Sequence, residues 1–215
     1  MRDYICYRST PPGTPPLKIK KTDPRDYSIA LEKSSQIFED AKYELMLGEI
    51  ENSEWDKLKS GKSSGSGVYR HEVTGFVFKF YWFGFPSDVS QRERNVKASW
   101  ENELEVLSTI EGYNPPCVKL LDHGTLQNDT VGFLKLEPLQ PVSVNDVSLN
   151  KRALELVDEL HQLGYSHNDI TSTDNFMIRK STDKLVFIDM ETATPVDTES
   201  MKLDKINIGE VFGNP

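Results

Sequence analysis

The sequence is poor in cysteine, in long apolar runs and in basic residues, and each shortage excludes a class of protein. Cys6 and Cys117 are the only cysteines among 215 residues, so we expect neither a disulfide-rich secreted fold nor a clustered cysteine zinc site. The longest apolar stretch, 76–85, is interrupted by Lys79 and is too short to cross a bilayer. The 34 acidic residues outnumber the 25 basic ones and give a net charge of −9, which argues against a protein that coats duplex DNA.

The remaining composition indicates a folded protein of the cytoplasm or nucleus. Hydrophobic residues make up 37% of the chain and charged residues 27%, which is typical of a soluble domain and too apolar for a fully disordered one. Residues 1–16 lack the apolar segment of a signal peptide. The basic run at 17–21 is either a solvated charge cluster or a nuclear-import signal.

Local patterns divide the chain into three parts, of which the first is residues 1–50. Five prolines over 1–26 predict an extended arm, because proline at that density cannot sustain a helix or a central strand. Apolar residues then recur at helical spacing and predict a helix near 33–47.

The second part, residues 51–140, has the pattern of a small antiparallel sheet with one helix. Two β-rich runs meet at Thr74-Gly75 and predict a hairpin, whereas the preceding stretch 53–59 is a poor strand. An amphipathic helix follows over 90–110. Two more strands joined by a polar turn at 127–129 complete this part.

The third part, residues 141–215, combines a helix with short strands. Asn145 or Ser148 is placed to cap a helix that ends at Gly164. Beyond that helix, short apolar runs alternate with polar turns, and each run ends beside acidic or amide side chains.

Three polar side chains in this third part fall at the ends of short apolar runs. Asp169 ends the tripeptide His-Asn-Asp, Asn175 lies six residues further on, and Asp189 follows the next strand. If the two strands form a hairpin, these three side chains converge. Carboxylate and amide oxygens suit Mg²⁺ ions that are completed by substrate phosphates, with a hydroxyl group as the nucleophile.

This pattern resembles the catalytic region of the protein-kinase-like superfamily, which has H-x-D, then an Asn, then a strand ending in an Asp-containing triplet. The spelling His-Asn-Asp followed by Ile-Asp-Met-Glu is most similar to choline kinases and aminoglycoside phosphotransferases. Glu191 fits that branch, which commonly has an acid where protein kinases have the glycine of D-F-G. The resemblance implies that Asp169 orients the acceptor hydroxyl and that Asn175 and Asp189 hold Mg²⁺.

The position of the metal-binding amide departs from the family by one residue. The family spacing from Asp169 leads to Asp174, whereas Asn175 lies one further on. Either the loop has a one-residue insertion or Asp174 is the ligand, since both side chains offer oxygen to Mg²⁺. We favour Asn175, because a short strand follows it directly as in the family.

The second part of the chain also matches the family. Lys79 matches the lysine of V-A-I-K, which reaches the ATP phosphates and pairs with a glutamate of the following helix. Glu103 is the matching acid, because it shares the sheet-facing side of its helix and would be costly to bury without a cation. If each residue is considered alone, an alternative interpretation fits equally well: Lys79 would be a charged residue on an edge strand, and Glu103 would be an acid on the protein surface.

Two further segments stand where the family binds nucleotide. Gly61, Gly65 and Gly67 precede the second strand of the hairpin, where the family has the turn that covers the phosphates and where glycine permits close backbone approach. Their spacing differs from G-x-G-x-x-G, so a flexible Gly/Ser loop is the alternative. Glu137, within 136–139, ends the last upper-lobe strand, where the family's hinge presents backbone groups to adenine; an ordinary strand end before a proline is the alternative.

The resemblance covers about residues 55–195 and implies an α+β, two-lobed, protein-kinase-like fold with an antiparallel upper sheet and a truncated helical lower lobe. Few residues follow Glu191, so the supports that the usual helical bundle gives the catalytic loop would be missing. The implied function is ATP- and Mg²⁺-dependent phosphoryl transfer to a hydroxyl of a metabolite or protein. The alternative is a weak pseudokinase that binds nucleotide or regulates a partner. An uncovered apolar face on the lower lobe would predict self-association or a protein partner there.

Overall fold

The computed structural model describes most of the chain in six stretches, to which every structural statement below refers: 24–46, 55–60, 65–85, 96–112, 114–143 and 148–212. The predicted arm up to residue 23, Gly61 and the candidate cap Asn145 lie outside these stretches. Among the helices so described, none combines the length and the apolarity needed to span a bilayer.

The upper lobe is built on a five-stranded antiparallel sheet with the spatial order β1-β2-β3-β5-β4. The strands are β1 (Trp55–Ser60), β2 (Ser66–His71), β3 (Val77–Trp82), β4 (Leu120–Leu126) and β5 (Val131–Leu136). The predicted hairpin is β2-β3, and Gly75 in its turn has φ +72°, a conformation that glycine adopts without steric cost. The predicted polar turn at 127–129 joins β4 to β5 with three successive positive φ angles.

Strand β1 is a difference from the sequence prediction, which took 53–59 for a poor strand. Trp55 packs edge-on against the rings of His71 and Phe78, each at 5.1 Å between centroids. The pairing with β2 is irregular between Lys57 and Lys59. Aromatic packing at one end therefore compensates for the polar composition of this edge strand.

Two helices cover opposite faces of the upper sheet. Side chains alternate along β3, so Phe80 packs on Phe38 of α1 (Pro24–Met46), with ring centroids 6.2 Å apart. Lys79 and Tyr81 are directed to the other face, which α2 (Val96–Thr109) covers. Helix α1 begins nine residues before the predicted start near 33, with Pro24 in the first turn, where proline is tolerated.

The lower lobe contains two helices and two small sheets. Strands β6 (Gln140–Pro141), β8 (Phe176–Arg179) and β9 (Lys184–Phe187) form one antiparallel sheet, and β7 (Tyr165–Ser166) pairs with β10 (Thr194–Pro195). Helix α3 (Leu149–Gln162) is followed by Gly164 at φ +90°. Ser148 precedes α3 but makes no side-chain capping bond.

The tail forms a helix, α4 (Thr198–Phe212), that packs against α3. Ile208 is fully buried, and the ring of Phe212 lies edge-on to Phe176 at 5.0 Å. The apolar face of α3, with Ala153, Val157 and Leu160, is consequently buried. Three apolar side chains of α4 remain exposed: Met201 (37%), Leu203 (49%) and Ile206 (56%).

Candidate active site

The centre of the candidate site is the ammonium group of Lys79. Its Nζ lies 2.7 Å from Glu103 Oε2 on α2 and 2.5 Å from Asp189 Oδ1, directly after β9. A third carboxylate, that of Glu191, lies 3.7 Å away. The structure thus brings together predicted residues that are 24 and 110 positions apart in the chain.

Electrostatics keep Lys79 charged in this buried position. Burial works to lower the pKa of Lys79, but the carboxylates of Asp189 and Glu103 outweigh it and hold the pKa well above its ordinary value. The carboxylates of Glu103, Asp189 and Glu191 offer oxygen atoms within 4.8 Å of one another. Three acids around one ammonium leave an excess of negative charge, which a divalent cation would neutralise.

Glu103 is held by more than Lys79. The hydroxyl of Tyr81, on the same face of β3, donates to Glu103 Oε2, and the backbone N–H of Met190 donates to Oε1 at 3.3 Å. Burial and the carboxylate of Glu103 raise the pKa of Tyr81 well above its ordinary value, so the phenol stays a donor. Sequence reasoning missed Tyr81, although its spacing of two from Lys79 places both side chains on one face.

The predicted catalytic loop, which carries Asp169, is tied through His167 to Ile188, the residue after β9. Its Nε2 lies 3.0 Å from the backbone oxygen of Ile188, and its Nδ1 accepts the N–H of Asp169 at 3.3 Å. The Asp169 carboxylate is half-buried, and Thr171 Oγ1 donates to it at 3.3 Å. Asp169 therefore has a partly accessible carboxylate, on a loop that a buried histidine orients.

The two candidate amide and acid side chains at 174 and 175 differ in position. Asn175 is buried, its Nδ2 donates to the backbone oxygen of Asp169, and its own backbone oxygen accepts the N–H of Ile188 at 3.0 Å. Asp174 is exposed, and Ser172 Oγ accepts its backbone N–H. Of these two, Asn175 is the one bonded both to Asp169 and to Ile188, the residue between β9 and Asp189; its role as a metal ligand stays a prediction.

Two non-glycine residues of the site have left-handed backbone. Asn168 has φ 62° and Asp189 has φ 63°, a region that asparagine and aspartate enter more readily than other residues. Such strain is concentrated at functional sites. At Asp189 it turns the chain from β9 into the short 3₁₀ turn Met190–Thr192.

Asp204 of α4 is a site residue that sequence reasoning missed. It is fully buried, its Oδ2 accepts the backbone N–H of His167 at 2.9 Å, and its Oδ1 accepts that of Asn168 at 3.0 Å. His161 Nε2 lies 3.0 Å from the same Oδ2. The tail helix therefore supports the catalytic loop that we expected to lack support.

Two of the three candidate phosphate-binding glycines, Gly65 and Gly67, are described, and close packing explains both. A Cβ atom on Gly65 would lie 2.6 Å from the Phe85 side chain, and one on Gly67 would lie 2.9 Å from Tyr69 and 3.0 Å from Phe38. Gly67 faces α1, on the side of the sheet opposite Lys79. Close packing thus accounts for both residues, and their predicted contact with phosphate stays a prediction.

Glu137, predicted as a nucleotide-binding residue of the hinge, is engaged in a different contact. Its carboxylate binds the buried guanidinium of Arg179, with Nη2 2.7 Å from Oε1. Its backbone N–H donates to Lys119 O at 3.1 Å. Any adenine contact of the hinge would therefore have to use other main-chain groups of 136–139.

Arg179 itself connects the two lobes. Its Nη1 donates to Asn114 Oδ1 at 2.6 Å, and its Nη2 donates to Cys117 O at 2.8 Å. Next to these bonds, Val118 N–H donates to Phe187 O at 2.8 Å. The loop after α2 is thereby fixed to β9, the strand that ends two residues before Asp189.

Comparisons with known proteins bear on the fold. No protein-family model matches the chain, and no curated protein matches it significantly. The chain is similar to WbdD in a co-crystal structure with the kinase inhibitor LY294002, with TM-score 0.52 and 19% identity over 75% of this chain and 38% of that one. A 2.2 Å structure of WbdD gives TM-score 0.51 and 18% identity, over 73% of this chain and 37% of that one.

A structure of monomeric WbdD gives TM-score 0.51 and 20% identity, over 73% of this chain and 40% of that one. The chain therefore spans about two fifths of the length of these WbdD chains. At such identity the likeness concerns the fold, and it agrees with the α+β architecture and the antiparallel upper sheet. The chain has a kinase-like fold.

Proposed function

We propose that this protein is an ATP- and Mg²⁺-dependent phosphotransferase that acts on a hydroxyl acceptor. The observation that carries the proposal is the position of Lys79, which is held between Glu103 and Asp189 while Asp169 and Asn175 lie on the adjoining loop. The kinase-like fold supports the same reading. Positioning and electrostatic stabilisation account for most of the catalysis of phosphoryl transfer, and this arrangement supplies both.

Lys79 would bind the phosphates of the nucleotide. Its ammonium is charged and fixed by Glu103, so it can exchange its contact with Asp189 for a phosphate oxygen without losing its anchor. Tyr81 holds the same Glu103 oxygen and so keeps the carboxylate in place during that exchange.

Asp189 and Asn175 would hold Mg²⁺, and Glu191 is close enough to add a third oxygen. The donor set fits the ion, because it consists of hard oxygen ligands in a site with excess negative charge. Bound there, Mg²⁺ would neutralise the charge that develops on the transferred phosphoryl group.

Asp169 would orient the acceptor hydroxyl and take its proton. Its carboxylate is accessible, while His167 and Asp204 hold the backbone on which it stands. The acceptor is either a small metabolite or a protein hydroxyl, and panels of both classes separate the two.

A catalytically weak pseudokinase is the second candidate. The observation that favours it is the packing of Gly65 and Gly67 against side chains of the protein itself. Under this alternative the protein binds nucleotide but does not transfer phosphate, and Asp169 has no catalytic role.

The test of the proposal is nucleotide binding by thermal shift. ATP with Mg²⁺ at a hundredfold excess over Kd should stabilise the folded protein by about 2.7 kcal/mol, and omission of Mg²⁺ should remove most of the shift. Asp189→Asn should weaken it, whereas Asp183→Asn serves as the matched control, because Asp183 is exposed and also has left-handed backbone, at φ 51°. The absence of any shift at millimolar ATP would remove both candidates, and binding without turnover would leave the pseudokinase.

A further inference from the structure

The turn that follows Asp189 is bonded to helix α2 through two neighbouring side chains. Asn102 Nδ2 donates to Glu191 O at 3.0 Å and to Ala193 O at 2.9 Å. Glu103, the next residue, accepts the N–H of Met190. Helix α2 thus binds three main-chain groups of the turn, with two donated hydrogens and one acceptor oxygen.

The same turn is bonded on its other side to the catalytic loop. Thr192 Oγ1 donates to His167 O at 2.9 Å, and Asn168 Nδ2 lies 2.8 Å from Thr194 Oγ1. Strands β7 and β10 pair next to these bonds through Ser166 and Thr194. A continuous set of hydrogen bonds therefore joins α2 to the loop that ends at Asp169.

We propose that Asn102 is a positioning residue, which sets Asp189 and Asp169 in register by holding the turn 190–193 against α2; the proposal rests on the phosphotransferase function. Lys79 and Glu103 fix the phosphate side of the site, but neither contacts the catalytic loop. Asn102 binds the carbonyl groups of Glu191 and Ala193. Each of these residues directly precedes a threonine that bonds to the loop, Thr192 or Thr194.

The chemistry of the amide explains why this position is sensitive. Both hydrogens of one NH₂ group bind carbonyl oxygens two residues apart, which aspartate cannot do because its carboxylate has no hydrogen to donate. A carboxylate there would also face two carbonyl oxygens, with which it has only repulsive contact. Asn102→Asp therefore removes both bonds at almost unchanged volume.

Hydrogen exchange on the full chain tests, independently of activity, whether Asn102 holds the turn 190–193 against α2. In Asn102→Asp, amides of 190–194 should exchange at least tenfold faster than in the wild type. Ser108→Asp, which adds the same charge at an exposed position of α2, should leave their exchange unchanged. Equal protection in Asn102→Asp and in the wild type would overturn the proposal.

Kinetics of ADP release with Mg²⁺ test the positioning role. Asn102→Asp should lower kcat at least tenfold with KM for ATP within about twofold, since the Lys79–Glu103 pair is kept, and Ser108→Asp should retain both values. Unchanged kcat, or a rise in KM alone, overturns the proposal. If Asn102→Asp fails to fold, Asn102→Ser, which keeps one donor, replaces it. The same fall in kcat with KM for ATP nearly unchanged is then expected, and an unchanged kcat overturns the proposal.

The two proposals fail separately. A wild type without ADP release overturns the phosphotransferase function and with it the catalytic role of Asn102. Hydrogen exchange would still decide whether Asn102 holds the turn. A wild type that releases ADP while Asn102→Asp keeps full activity overturns only the positioning role.

Discussion

Asp169 and Asp174 are carboxylates of one loop that differ in their surroundings, which makes them a matched pair for mutagenesis. Asp169→Asn should lower kcat for ADP release by about 10²–10⁴-fold, because a positioned proton acceptor contributes that much. KM for ATP should stay within about twofold, since the proposed partner of this carboxylate is the acceptor hydroxyl and not the nucleotide. Asp174→Asn, at the exposed position, should change kcat little. Equal kcat values for the two variants would contradict the assignment of Asp169.

Cys117 gives a prediction about pH. Burial raises the pKa of its thiol to about 12 from an ordinary value of 9.0. In a Cys6→Ser background, native protein at pH 8 should therefore not react with a thiol reagent, whereas denatured protein should react fully. Rapid labelling of the native protein would contradict the buried position.

The raised pKa of the Cys117 thiol also makes the free energy of unfolding depend on pH. The folded state keeps the proton that the unfolded state loses above pH 9, so the contribution of Cys117 to the free energy of unfolding is complete below pH 9 and falls as pH rises toward 12. The loss is at most about 1.4 kcal/mol per pH unit. Cys117→Ala should flatten this part of the stability profile measured by urea unfolding.

The sequence could predict site residues only at positions that match the motif of the protein-kinase-like superfamily. Lys79, Asp169 and Asp189 stand at fixed places in that motif; the structure places Lys79 against Asp189, and the catalytic role of Asp169 stays a prediction. Asp204 and Arg179 could not be found in this way, because their partners lie 36–65 residues away in the chain. A side chain that binds main-chain groups of distant segments leaves no pattern in its local sequence.

At the scale of secondary structure, helix α4 can be tested through Asp204. Asp204→Leu would leave the buried N–H of His167 and the partly buried N–H of Asn168 without their acceptor, at about 1–3 kcal/mol for a buried group and less for a partly solvated one. Urea unfolding should thus show a loss of a few kcal/mol, and activity should fall with it. Lys205→Ala removes only a surface ion pair with Asp158 on α3 and should cost less than about 1 kcal/mol. Similar losses for both variants would contradict the anchoring role.

Elements with clear periodicity were predictable, and elements that depend on tertiary contacts were not. The hairpin β2-β3 and helix α2 follow from alternation and helical spacing, and both form in the described part of the chain; the predicted helix start at 90–95 lies outside the described residues. Strand β1 could not be predicted, since it forms through the packing of Trp55 on its neighbours. The start of α1 at Pro24 was also not predicted, because proline normally interrupts a helix and is tolerated only in the first turn.

At the scale of the whole molecule, the α+β class and the antiparallel upper sheet are confirmed, and association of the lower lobe stays a prediction. Helix α4 covers the α3 face for which we expected a partner, and it exposes Leu203 and Ile206 in turn. We expect a second copy to pack on these two side chains. Light scattering over a concentration series should show growth in mass that Ile206→Lys abolishes.

The control for this prediction is Val73→Lys in the turn of the β2-β3 hairpin. Val73 is even more exposed, at 77%, but it belongs to the upper lobe, so its substitution should leave the association unchanged. A wild type that stays monodisperse and monomeric at high concentration would show that α4 closes the lobe without a partner.

The anchoring of the catalytic loop by Asp204 has a consequence for synthesis on the ribosome. The acceptor for the N–H groups of His167 and Asn168 lies 37 and 36 positions later in the chain, so these groups emerge before the carboxylate that binds them. The upper lobe can form early, since domains fold in order of their appearance. The loop that carries Asp169, in contrast, acquires its native support only when α4 has been translated, and nascent chains that stall before Asp204 should be inactive even with their upper lobe folded.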